Sequence, residues 1–153
     1  MPLRVSLRKL KDQTGFISCQ RSDGTITHQK QNQLQALHFV YHDLTHLAVE
    51  SILTQLKGFF GLIEEGWDIE DTTGKGQRGP LPADAVIVEQ LVGYFDQERA
   101  TPGGWTREEF NSFSPLPLSA NDYDAIRQLR AKLFDDWSAV PPETEMVLTF
   151  SRS

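Results

Sequence analysis

Leu3, Val5 and Leu7 alternate with Arg4, Ser6 and Arg8, the period-two pattern of a strand buried on one face. Phe16-Ile17-Ser18-Cys19 and Thr25-Ile26-Thr27-His28 flank Ser22-Asp23-Gly24, and Asp-Gly is a strong hairpin turn signal. The first thirty residues therefore predict a three-stranded meander, with His28 facing outward on its last strand. From Leu34 to Leu56 the period changes to that of a helix, with Asn32-Gln33 as its cap and Gly58 as its stop. Leu37, Val40, Tyr41, Leu44, Leu47, Ala48 and Ile52 share one broad face, and Phe39, Val49 and Leu53 are apolar on the other. A helix apolar nearly all round is a buried helix.

Phe59 to Trp67 reads as a short apolar helix or turn between glycines, and Thr72 to Pro80 as a flexible polar loop. Its Gly-Lys lacks the following Ser or Thr that a P-loop requires. Pro82 to Arg99 predicts a second long helix with Val86, Leu91 and Phe95 among its apolar positions, broken by Thr101-Pro102-Gly103-Gly104. Trp105 to Phe113 is a short aromatic segment ended by Pro115 and Pro117. Ser119 opens a third helix to Trp137, with Ile126, Leu129, Leu133 and Phe134 on one side, and Met146 to Phe150 is a last strand. That strand can join the meander and cover its edge. The fold class is α+β: one domain over residues 1–153, a small, mainly antiparallel sheet packed against about three helices.

Length and charge narrow the partners. A chain of 153 residues with 39% hydrophobic side chains has material for one core. Its net charge of −6 argues against nucleic acid, whose phosphates need a basic footprint. Arg4, Arg8, Lys9 and Lys11 gather near the start and read as a solvated face. Cys19 is the single cysteine, so no intrachain disulfide forms. No secretory signal and no apolar run of about 18 residues appears, which makes the expectation a cytoplasmic protein without a membrane partner.

The candidate chemistry lies on the first helix. His38, His42, His46 and Glu50 follow one another at intervals of four, so they form one stripe along it. Imidazole is the commonest transition-metal ligand, and two on one helical face can chelate an ion. Each four-residue step rises about 6 Å. His38 and His46, or His42 and Glu50, therefore stand about 12 Å apart along the axis, too far to share one ion with bonds of about 2.1 Å. The best pair is His42 and His46, with Asp43 after the first. His38 and Glu50 then become outer partners, Glu50 accepting from His46. A metal-free account is equally definite: buried histidines bonded to carboxylates form a structural polar network.

His42-Asp43-x-x-His46 with Glu64 and Glu65 beyond it resembles a degenerate zincin metalloprotease helix. The resemblance implies a divalent metal, zinc before manganese or iron, held by His42, His46 and either Glu64 or Glu65. It also implies Asp43 as general base, in a metal-dependent hydrolase acting on a small molecule or peptide. Aspartate is one methylene shorter than the glutamate of that signature. The His42-Asp43 doublet also resembles the core of the HD phosphohydrolases, which implies an all-helical fold with a further upstream histidine, here His28. More broadly, His-Asp-Leu-x-His followed by Gly-Phe-Phe-Gly-Leu is similar to small uncharacterised bacterial proteins. Against these stands a non-enzymatic class, in which Trp67, Trp105 and Phe113 line a groove for a peptide or apolar ligand.

Overall fold

The computed structural model describes residues 2–30 and 36–152. Four strands form one antiparallel sheet: β1 (Leu3–Lys9), β2 (Gly15–Gln20), β3 (Ile26–Lys30) and β4 (Glu145–Phe150), in the order β3-β2-β1-β4. Val5 faces Cys19 on one side and Leu148 on the other, so the last strand does cover the edge of the meander. Arg21 and Thr25 close the predicted hairpin, Arg21 N–H donating to Thr25 O at 2.9 Å. Gly24 turns there with φ +88°, a conformation that costs glycine nothing.

The period-two pattern extends one residue beyond its apolar part. Lys9 falls on the inward side with Leu3, Val5 and Leu7 and is 6% exposed, not solvated. Its Nζ donates to Trp137 O at 2.7 Å and lies 4.6 Å from the Trp137 ring centroid. A cation suits the carbonyls at a helix C-terminus. Burial pushes the Lys9 amine below its ordinary pKa.

Five helices stand among the described residues: α1 (Ala36–Ile52), α2 (Phe59–Glu64), α3 (Ala83–Ala100), α4 (Arg107–Phe113) and α5 (Ala120–Ser138). The three long ones are those expected, and the two short ones come from the apolar turn and the aromatic segment. The proposed cap at Asn32-Gln33 and the start at Leu34 lie outside the described residues. At its other end α1 stops at Ile52, six residues short of Gly58. The chain turns instead over Leu53–Leu56, and Gly58 becomes the N-cap of α2. On α3 the inward residues are Val88, Leu91, Val92 and Phe95, while Val86 is 43% exposed.

From Val40 to Leu53 nearly every residue of the α1 region is buried or half-buried. This helix packs against α5, α3, α2 and β2, so it is the axis of the core. Neighbours on several elements account for its being apolar nearly all round. A buried ion network ties α3 to α5, with Glu98 at 2.9 Å from Arg130 and 3.1 Å from Arg127. Arg130 also donates to Phe95 O at 3.1 Å.

Between α2 and α3 the polar loop expected from Thr72 starts inside a short helical turn. Ile69–Thr73 forms a 3₁₀ turn with a capping box between Asp68 and Asp71. Ile69 N–H donates to Thr27 Oγ1 at 3.0 Å, and Arg21 Nε donates to Ile63 O at 2.6 Å. These bonds pin the turn and the end of α2 to the sheet. No helix among the described residues is long and apolar enough to cross a membrane.

Candidate metal centre

His42 and His46 point the same way from α1, and their rings meet edge to face with centroids 4.9 Å apart. What they meet is a single side chain of α3. His42 Nε2 stands 3.2 Å from Glu89 Oε1, and His46 Nε2 stands 2.8 Å from Glu89 Oε2. One carboxylate thus receives both Nε2 atoms, one on each oxygen.

The other nitrogen of each ring is held from behind. His42 Nδ1 is 2.7 Å from Asp96 Oδ2, and His46 Nδ1 is 3.1 Å from Glu50 Oε2. Glu89 and Asp96 are seven residues apart, two turns along one side of α3, so both reach His42. Glu50 is fully buried, and it also accepts from the Phe60 N–H at 3.3 Å and the Gly61 N–H at 3.0 Å. Those amides are orphan donors of the first turn of α2, which a carboxylate satisfies well.

Gly58 makes this approach possible. A Cβ there would lie 2.5 Å from Val88 Cγ1 and 2.7 Å from Glu50 Cδ. Only a residue without a side chain lets α2 begin against the Glu50 carboxylate.

The electrostatics follow from this wiring. Burial pulls the His46 pKa down, but the bonds to Glu50 and Glu89 outweigh it and raise the value to about 10. For His42 burial again opposes, and Asp96 and Glu89 raise the value to about 9. Burial works against the charge on Glu89 too, yet the two imidazole partners hold its carboxyl far below the usual range. Without a metal both rings are imidazolium at neutral pH, each donating two hydrogen bonds. A divalent ion at the Nε2 positions would replace two protons and leave the charge of the cluster unchanged.

The group His42, His46 and Glu89 can hold a metal ion, its ligand atoms lying within 4.8 Å of one another. Two ligands on one ion at about 2.1 Å can stand about 4.2 Å apart at most. Glu89 already stands 3.2 Å from His42 Nε2 and 2.8 Å from His46 Nε2, within that limit. A second group consists of His38, His42 and Asp96, with the His38 and His42 rings 5.6 Å apart. Each group has one exposed member, His38 or Glu89, and only the first includes a buried one, His46.

The resemblance to a zincin helix placed the third ligand at Glu64 or Glu65, and the structure does not bring either into these groups. Glu65 pairs with Lys57 at 2.6 Å. The 59–66 segment does fold back on α1, but it offers backbone amides to Glu50 rather than a carboxylate to the histidines. Glu89 stands where the third ligand was expected. Asp43 is buried and lines the same cavity as His42, His46 and Glu89. That cavity, about 470 Å³, is bounded by α1, α3, Phe59 of α2, the 3₁₀ turn and the end of β3.

Other candidates fall elsewhere. His28 is exposed on β3, its ring 5.4 Å from that of Phe16 and outside both metal-competent groups. That position and the sheet itself depart from the all-helical arrangement of the HD phosphohydrolases. Trp67 lies under Arg78, whereas Trp105 and Phe113 pack together at 5.3 Å, so Trp67 belongs to a different contact from the other two. The chain matches no family model, no curated protein and no solved structure.

Proposed function

We propose that this protein is a metal-dependent hydrolase of a small ester or amide, with zinc as the ion and His42 Nε2, His46 Nε2 and Glu89 as its ligands. The observation that carries this reading is the convergence of both Nε2 atoms on one carboxylate in a cavity wall, with both Nδ1 atoms anchored by Asp96 and Glu50. Anchoring carboxylates of this kind fix the ring orientation and raise the basicity of a ligating imidazole. Two histidines and a glutamate are a set that leaves a zinc coordination position open.

A divalent ion there would polarise a carbonyl and bring the pKa of water to about 7. The residue this reading assigns to the proton is Asp43, which lines the cavity with His42 and His46. As the oxygen of water bonds to the carbonyl carbon, Asp43 takes its proton. It returns that proton to the leaving nitrogen or oxygen as the C–N or C–O bond breaks. The cavity suits a small molecule, since ligand pockets run from about 300 to 1,000 Å³.

The test is hydrolysis of a panel of aryl esters and N-acyl amino acids by zinc-loaded and chelator-treated protein. The proposal expects turnover that chelation abolishes and zinc restores, and that His46→Ala lacks. Absence of metal-dependent turnover across the panel contradicts it. A non-enzymatic reading has one observation in its favour: every imidazole nitrogen of the cluster already has a carboxylate partner, so protons alone satisfy it. In that case the histidines are a structural network, and added zinc leaves the thermal midpoint unchanged.

A further inference from the structure

The cavity in front of the histidines has a chemical asymmetry. His42, His46, Asp43 and Glu89 supply its titratable lining, while Phe39, Phe59, Ile69 and Leu81 supply apolar surface. Lys30, at the end of β3, is the one lysine or arginine on the lining among the described residues. The ion pairs of this region run among His42, His46, Glu50, Glu89 and Asp96. Among the described residues no ion pair takes up Lys30.

From this we infer that the ligand of the cavity is a small amphiphilic carboxylate, with an apolar body against the phenylalanines and its anionic group at the Lys30 ammonium. The inference rests on the metal reading above and deepens it to a substrate class: a carboxylate-bearing ester or amide, such as an N-acyl amino acid, whose scissile carbonyl faces the histidines. One feature supports an anion over a neutral ligand: the lining carries an exposed cation, Lys30, that no ion pair among the described residues takes up.

The Thr72 and Thr73 side chains, from the pinned 3₁₀ turn, add polar groups on the same lining. Thr72 Oγ1 donates to Ile69 O at 2.5 Å and Thr73 Oγ1 to Glu70 O at 3.1 Å, so both hydroxyls keep lone pairs but have spent their protons. They are acceptors rather than anion donors. That leaves Lys30 as the group that selects charge.

The experiment titrates 3-phenylpropionate and its neutral isostere 3-phenylpropionamide into zinc-treated wild type, Lys30→Ala and Lys30→Arg by calorimetry. Zinc content is measured on the same samples. The expected result is at least tenfold tighter binding of the carboxylate by wild type. The preference persists in Lys30→Arg and falls to less than threefold in Lys30→Ala, with zinc content equal in all three. Equal binding of both probes by wild type, or an undiminished preference in Lys30→Ala, overturns the inference while leaving the metal reading intact. A metal ion that alone attracted the carboxylate would give that second pattern. Zinc absent from the wild type overturns the metal reading, and this inference with it.

Discussion

His46 Nδ1 lies 3.1 Å from Glu50 Oε2, one helical turn further along α1, and the same carboxylate accepts the Phe60 and Gly61 amides of α2. A side chain that orients the candidate ligand therefore also docks the next helix. Glu50→Gln keeps the shape but removes the charge. It should lower stability by about 1–3 kcal/mol, because buried donors lose a charged acceptor. It should also weaken zinc affinity about 10- to 100-fold, the usual cost of removing an anchoring partner. Urea denaturation and zinc titration check the two effects separately. A stability loss with unchanged zinc affinity would leave Glu50 as a docking residue alone.

Gly58 offers a subtler perturbation of the same contact. Gly58→Ala places a methyl group against Val88 and Glu50 at distances no real Cβ adopts. Helix α2 must then shift, at a cost of about 1–3 kcal/mol as for other overpacked sites. The urea midpoint should fall, and zinc affinity with it, since Glu50 is displaced. An unchanged midpoint would mean that α2 has more freedom than its contacts suggest.

The titration of the cluster gives a signed prediction for chelator-treated protein. His42 and His46 have folded-state pKa values raised to about 9 and about 10, above an unfolded value of about 6.5. Their stabilising contribution is complete below about pH 6.5 and is lost as pH rises through the folded values. Glu89 acts oppositely: its carboxyl is held low, so its contribution is present at neutral pH and is lost progressively as pH falls below about 4.5. Stability of the metal-free protein should therefore decline steadily between pH 6.5 and 10. Denaturation midpoints across that range should flatten in the His42→Gln/His46→Gln double variant, and a slope that survives there would place the titration on other groups.

The ion network between α3 and α5 is predicted to matter for folding and not for metal. Glu98 is 1% exposed and holds Arg130 at 2.9 Å. Glu98→Gln leaves a buried guanidinium without its counterion, a change that costs about 3–5 kcal/mol. Thermal melting and zinc titration together check this, with a large loss of midpoint and an unchanged affinity per folded molecule expected.

Much of this architecture is readable along the chain because its periods are clean. Leu3, Val5 and Leu7 mark the central strand, Asp23-Gly24 marks the hairpin, and the four-residue spacing of His42, His46 and Glu50 marks one side of a helix that is apolar elsewhere. The third carboxylate is a different matter. Glu89 and Asp96 share one side of α3 beside the buried stripe of Val88, Leu91, Val92 and Phe95, and a seven-residue carboxylate spacing next to an apolar stripe is the signal that could have singled them out. Periodicity within α3 does not say which helix that side meets. Glu64 and Glu65 follow instead from the spacing in a zincin helix, and here the turn that carries them offers its amides inward. The boundary of α1 is misplaced for a related reason: Gly58 is needed for the close approach to Glu50 and Val88 rather than to end the helix.

The central claim, that His42, His46 and Glu89 hold a metal, is tested most directly by elemental analysis of the purified protein after zinc exposure and gel filtration. Wild type and the Glu64→Ala/Glu65→Ala double variant should each retain about one zinc per chain. His46→Ala and Glu89→Ala should retain little, while their circular dichroism shows them folded. Negligible zinc in wild type, or retention that falls with Glu64 and Glu65 and not with Glu89, would contradict the account.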